Sequence, residues 1–251
     1  QLLLIINKLC CKIIILLKGL KLKTIIVTSS FPLQKDDYKG NFVYNYAKML
    51  NKVVYVVAPH NKNSKIFEKW DNIIIIRIPY SLPYFEKLFY NNGVLENIKN
   101  NPFVAVFGIN FLINAFIFLS FFVKKGDKII TNWIFPTGII GSLIKLLKKD
   151  IKHEIIVHSA CINLLNKFKL KKTSKFIEKY SDYIQFVNSV HLKWFEQLID
   201  KQINHKIKLE PMPVALNIED DFKKEYNFKN ILFIGRIVEI KGLDLMLENL
   251  K

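Results

Sequence analysis

Short runs of β-branched and other apolar residues recur along the chain. Each is followed by a stretch whose apolar positions fall three and four apart. Residues 24–28 (TIIVT), 53–58 (VVYVVA) and 73–78 (IIIIRI) have the length and composition of strands buried on both faces. Residues 128–132, 154–157, 183–187 and 207–209 read the same way. Helical periodicity marks 41–50, 137–147, 174–180 and 189–199. This alternation predicts βαβ units and one mainly parallel sheet covered by helices, the α/β class. A further apolar run, 231–234, reads as a buried strand, and a new helical pattern follows it (Leu243, Leu245, Met246, Leu247, Leu250). The stretch between, with Pro211, Pro213 and mixed charges, reads as a linker. The expected organisation is an apolar and basic leader (1–21), a first domain (22–210), a linker (211–228) and the start of a second domain (229–251).

Two apolar segments depart from this rhythm. Residues 2–18 are mostly apolar, with lysines at Lys8, Lys12 and Lys18. They read equally as an interfacial anchor, a stub of a signal-like segment, or sequence preceding the true start. Residues 103–123 are 21 positions without a charge, 17 of them apolar. As a helix that segment is about 30 Å long, enough to cross a bilayer. Asn110 and Asn114 one turn apart, with Gly108 and Ser120, interrupt its apolar surface. It also lies between two strands of one expected sheet, which a crossing would separate. A helix packed on the first domain, touching a membrane at most through one side, is the favoured reading.

Charge changes the picture less than its size implies. The chain has 38 Lys and Arg against 21 Asp and Glu, a net +17. The excess is almost all Lys beside abundant Ile and Asn, a pattern that codon bias alone writes. Only Arg77 and Arg236 are arginines. Where lysine fills nearly every basic position, a surviving arginine points to a task needing the planar guanidinium fork. Nucleic-acid binding, which favours Arg interleaved with aromatics, is disfavoured. Cys10, Cys11 and Cys161 give neither a disulfide frame nor ligand spacing, so a reducing cytoplasm is expected. The five histidines show no metal-binding motif, and neither G-x-G-x-x-G nor G-x-x-x-x-G-K-[ST] occurs. No metal and no cofactor are called for.

Chemistry concentrates after the 231–234 run. Gly235-Arg236 ends it, and Lys241-Gly242 opens the next helix. Two cations at a strand-to-helix turn suit a diphosphate, since a helix N-terminus adds its own positive end. Other pieces precede this one in order: Thr28-Ser-Ser-Phe-Pro, Lys39-Gly-Asn-Phe-Val43 with Tyr46-Ala47, and Asn132-Trp-Ile-Phe-Pro-Thr-Gly138. His158-Ser-Ala-Cys-Ile162, Val187-Asn-Ser-Val with Leu192, and Pro211-Met-Pro-Val-Ala-Leu-Asn217 complete the set. From residue 22 to 251 the series resembles the nucleotide-sugar glycosyltransferases of family 4.

The resemblance implies a GT-B fold: a Rossmann-like parallel-sheet first domain, then the first strand and helix of a second Rossmann-like domain. It implies retaining transfer of a sugar from a nucleoside-diphosphate sugar to a glycan or lipid-linked acceptor. Implied roles are donor binding for Gly40, Arg236 and Lys241, and a hydrogen bond from His158 to the transferred sugar. Gly40 would let the backbone approach the donor phosphates. The two cations would stabilise charge building on the leaving diphosphate. Ser159, Cys161 and Ala215 depart from the family's usual Gly, Asp and Asp. Its paired glutamates of the second domain have no counterpart before Lys251, so the chain reads as a piece of a longer one. Location is expected to be cytoplasmic or peripheral at the inner face of the cell membrane. Two other readings stand beside transfer: a non-catalytic homologue that binds nucleotide or membrane, and a sugar-nucleotide epimerase of the same fold.

Overall fold

In the computed structural model the described residues are 22–35, 37–90, 93–203, 206–212, 231–234 and 242–249. They belong to two compact units, 1–215 and 216–251.

The first unit is built on an eight-stranded sheet. Its strands are β1 (Thr24–Val27), β2 (Val54–Pro59), β3 (Phe67–Trp70), β4 (Ile73–Ile78), β5 (Lys128–Asn132), β6 (Lys152–Val157), β7 (Tyr183–Phe186) and β8 (Ile207–Leu209). The order across the sheet is β3-β4-β2-β1-β5-β6-β7-β8. Every pairing is parallel except β3 with β4. The expected strands thus share one mainly parallel sheet. The antiparallel edge β3 (FEKW) was not anticipated, because its alternating charges hide it from an apolar-run criterion.

Two-residue periodicity explains how the apolar runs are used. Ile25 and Val27 of β1, Tyr55 and Val57 of β2, and Ile76 and Ile78 of β4 enter one core. Ile26, then Val54, Val56 and Ala58, then Ile73 and Ile75 enter the core on the opposite face. A strand buried on both sides has no polar face, hence the continuous runs. The first core is closed by α3 (Ala105–Phe122) and α4 (Thr137–Leu147), the second by α1 (Asn41–Met49) through Val43, Tyr44 and Ala47. α2 (Val94–Asn100) leads into α3. A third core, around Ile155, Val157, Ile184 and Phe186, packs under α5 (Ser159–Lys167), α6 (Lys171–Lys179) and α7 (Ser189–Ile199).

The long apolar segment is the helix expected, fixed on the domain. Phe111, Asn114, Ala115, Phe118, Leu119 and Phe122 are buried. The Asn114 amide donates to the Pro79 carbonyl at 2.9 Å. Just beyond the helix, buried Asp127 accepts from the backbone amides of Lys23 and Lys124, both at 2.8 Å, and pairs with the Lys23 ammonium at 2.7 Å. That ties the helix end to the start of β1.

The second unit differs from expectation. Ile231–Ile234 form no strand, and Ile231, Leu232 and Ile234 are exposed. A strand exists only through a neighbour's backbone, and among the described residues of this unit there is none to pair with. The predicted helix is present as α8 (Leu243–Glu248), after Gly242 in the left-handed conformation.

Candidate functional site

Parallel strands end together, so the loops after β1, β5, β6 and β7 emerge on one edge of the sheet. β1 is flanked by β2 on one side and β5 on the other. The chain therefore reverses its winding direction there, opening the crevice where parallel-sheet proteins bind ligands.

The β1 side of this crevice is the loop from Thr28 to Gly40. The Thr28 amide continues the ladder to the Val57 carbonyl at 3.0 Å. Its hydroxyl donates to the Ser30 carbonyl at 2.9 Å and accepts from the Ser30 amide at 3.1 Å, a local turn. Gly40, predicted from sequence, is buried and adopts φ +75° immediately before α1. A Cβ there would lie 2.9 Å from the backbone nitrogen of Phe31. The glycine is needed both for its conformation and for a close backbone approach. α1 begins with no side chain capping its first amides.

The same loop is held from beneath by a residue whose site role sequence reasoning missed. Arg77 of β4 is fully buried. Its Nε donates to Glu68 at 3.0 Å, Nη1 to the Tyr90 hydroxyl at 3.0 Å and Nη2 to the Pro32 carbonyl at 2.8 Å. The Tyr90 hydroxyl donates onward to the Pro59 carbonyl at 2.5 Å. Burial pushes that phenol up to about 12, partly offset by Arg77, so it remains a donor. The usable signal was the rarity of arginine in this chain.

The β5 and β6 side carries the chemistry. Asn132 ends β5, and Trp133 follows with φ +82°, a left-handed conformation costly for a bulky residue. The Thr137 hydroxyl supports this turn, lying against the carbonyls of Asn132 and Trp133. His158, the predicted catalytic residue, follows β6 and begins α5. Its Nε2 is 3.2 Å from Asn132 Oδ1. With that oxygen as acceptor, Nε2 carries the proton and Nδ1 is an acceptor. The ring packs against Trp133 (centroids 4.6 Å apart) and Phe42 of α1 (5.0 Å). Burial lowers its pKa to about 4, so it is neutral near pH 7. Three buried polar atoms on these residues and their neighbour have no protein partner: Asn132 Nδ2, Trp133 Nε1 and Asn41 Oδ1.

Gly40 and His158 are thus brought to one edge, joined through the first turn of α1. Arg236 and Lys241 lie outside the described residues, as do Cys10, Cys11 and Ala215. The departure at Cys161 has a local use, since its thiol donates to the His158 carbonyl at 2.8 Å. Burial raises that thiol's pKa, leaving it uncharged. A second neutral histidine, His153, is structural. Its Nδ1 donates to the Tyr180 carbonyl at 2.8 Å, and Nε2 is 3.1 Å from the Thr131 hydroxyl. Among the described residues, no three His, Cys, Asp or Glu side chains gather as a metal site would require.

No protein-family model matches the chain. No curated protein sequence matches it. Among solved structures, one similar protein is the E. coli trehalose-6-phosphate structure bound with UDP-2-fluoro glucose. It is 9% identical with a TM-score of 0.52, over 76% of this chain and 49% of that one. Another is the N-terminal domain of Candida albicans trehalose-6-phosphate phosphatase, 13% identical with a TM-score of 0.50, over 76% and 48%. The chain spans about half the length of these structures. At such identity the likeness shows the fold, a Rossmann-like α/β domain of the GT-B kind, and not family 4 in particular.

Proposed function

We propose that the chain is the acceptor-side part of a glycosyltransferase that takes a sugar from a nucleoside-diphosphate sugar. One observation carries the reading. His158 and Asn132 meet at the switch-point edge, uncharged, beside buried donors and acceptors that the protein leaves unpaired. Buried polar atoms without partners are costly, so a hydroxyl-rich ligand supplies what they lack. Neutral His158 offers Nδ1 to a sugar hydroxyl, and the Asn132 amide offers a proton. Gly40 opens the backbone for the phosphate end, while Arg236 and Lys241 neutralise the departing diphosphate with retention at the sugar carbon. UDP-2-fluoro glucose in the E. coli neighbour supports this donor class. The acceptor is a glycan or a lipid-linked sugar.

The rival is a non-catalytic homologue, favoured by Cys161 spending its thiol on a backbone carbonyl where a carboxylate would face an acceptor. Turnover decides. In protein that includes the complete second domain, Arg236→Lys is expected to slow nucleoside-diphosphate release roughly tenfold to a hundredfold, about 1.5–3 kcal/mol. Lys241→Ala should cost a similar amount, and His158→Ala should lower turnover more than donor affinity. Unchanged turnover by Arg236→Lys overturns the diphosphate clamp. No release from any nucleoside-diphosphate sugar selects the non-catalytic homologue.

A further inference from the structure

The outward side of α3 is as distinctive as its buried side. Phe103, Val106, Ile109, Ile113 and Phe121 are exposed, Phe103 to 83% and Phe121 to 62%. At 100° per residue Val106, Ile109, Ile113 and Phe121 fall within about a third of a turn, across from Phe111, Ala115, Phe118 and Phe122 in the core, and Phe103 precedes them in the tighter turn Pro102–Val104. The helix contains no charged residue over 18 positions. The polar side chains toward the open face are half-exposed Asn110 and Ser120; Ser120 already donates its hydroxyl to the Phe116 carbonyl at 2.8 Å, and the Asn110 amide must stay within reach of headgroups or water.

The stripe widens at its start. Phe85 stacks on Phe107 with centroids 6.1 Å apart, and Tyr84 packs edge-on against Phe85 at 5.2 Å. These rings border a hollow of about 300 Å³ whose one cation is Lys87, held 4.8 Å above the Tyr84 ring. At the far end, exposed Lys124 and Lys125 follow the last turn. An uncharged aromatic and aliphatic face about 27 Å long is therefore bracketed by lysines at both ends.

We infer that this face docks the protein on an anionic lipid bilayer, with α3 lying in the plane of the surface. Aromatic side chains enter the headgroup–acyl boundary, and Lys87, Lys124 and Lys125 meet the phosphates. The helix does not cross the membrane, because its other face is core. Asn114 and Asp127 tie it to the sheet. Local charge selects lipid over a second copy of the chain: the lysines that bracket this face would meet their own kind in a self-contact, and an anionic surface attracts them. Docking is independent of the donor chemistry and stands or falls separately from it.

The test is flotation of the full chain with vesicles of phosphatidylcholine alone and of phosphatidylcholine mixed with phosphatidylglycerol. The expected result is binding to the mixed vesicles that high salt weakens and alkaline carbonate removes. Phe103→Ser with Phe121→Ser should lower partitioning about a hundredfold, roughly tenfold per ring. Both positions are solvent-exposed, so an unchanged far-UV spectrum and melting temperature should confirm folding. Leu147→Ser, an equally exposed apolar position on α4, serves as the control and should bind like the parent. Several outcomes overturn the inference. They are no vesicle binding, binding unaffected by the double substitution, carbonate-resistant integration, or a dimer that the double substitution dissociates without any vesicle binding.

Discussion

Arg77→Lys keeps the charge and removes the fork. In the parent, three nitrogens of one rigid plane reach three partners in different directions: Glu68, the Tyr90 hydroxyl and the Pro32 carbonyl. A lysine ammonium is a single point on a shorter reach and cannot serve all three. Arg77 is fully buried and Glu68 nearly so, at 16% side-chain exposure, so solvent does not replace what is lost. Two hydrogen bonds to a charged donor are worth about 1.5–3 kcal/mol each, and breaking a buried ion pair costs about 3–5 kcal/mol. These overlap, and about 3–5 kcal/mol is expected in all. For a chain of this size that corresponds to a melting temperature lower by roughly 6–20 °C. Urea unfolding followed by far-UV circular dichroism measures the free energy, and a thermal melt gives an independent reading. Arg77→Met, which removes the charge too, should be at least as damaging. If Arg77→Lys melts within about 2 °C of the parent, the fork geometry is not what holds the Pro32 loop, and the reasoning fails.

Two other perturbations separate the remaining forces. Burial holds His153 at about 4 in the folded protein, against about 6.5 when unfolded. Between those values the unfolded chain takes up a proton and the folded one does not. Stability should therefore fall as pH drops from about 6.5 to 4, by up to about 3 kcal/mol for this residue. In His153→Gln the slope of unfolding free energy against pH should flatten in that window; an unchanged slope refutes the assignment. Gly40→Ala combines left-handed strain with the 2.9 Å approach to the Phe31 backbone. It should cost about 2–4 kcal/mol in chemical denaturation. A cost of only about 1 kcal/mol, that of the left-handed conformation alone, would remove the close-approach argument.

The sheet was legible because burial on both faces turns a strand into an apolar word, unbroken in β1 and β2 and broken in β4 only at Arg77. β3 was not, since an edge strand needs only backbone pairing and carries Glu68 and Lys69 within four residues. Helix α5, which starts directly from the end of β6 at His158, was not anticipated either. At 231–234 the same criterion misled, because an apolar run states that burial is available and not that a neighbour exists to provide it. Composition along one segment cannot encode its partner.

The site shows a sharper form of that limit. Gly40 was singled out through the resemblance, as a glycine for close approach to donor phosphates; the described structure shows a close approach to the Phe31 backbone. His158 was singled out only through the resemblance, and its partners come from two other places, Asn132 and Trp133 at the end of β5 and Phe42 on α1. No spacing rule connects residues 42, 132 and 158; the parallel register does, by ending β5 and β6 side by side at Asn132 and Val157. Rarity of residue type carried more than proximity in sequence. The inference that arginine survives here only where a fork is required was drawn at Arg236, which lies outside the described residues; at Arg77 all three guanidinium nitrogens are in use. Through Pro32 that residue holds the loop whose Phe31 backbone presses on Gly40. Rarity of a residue type marks a specialised side chain, and it does not distinguish gripping a ligand from gripping a loop of the chain itself.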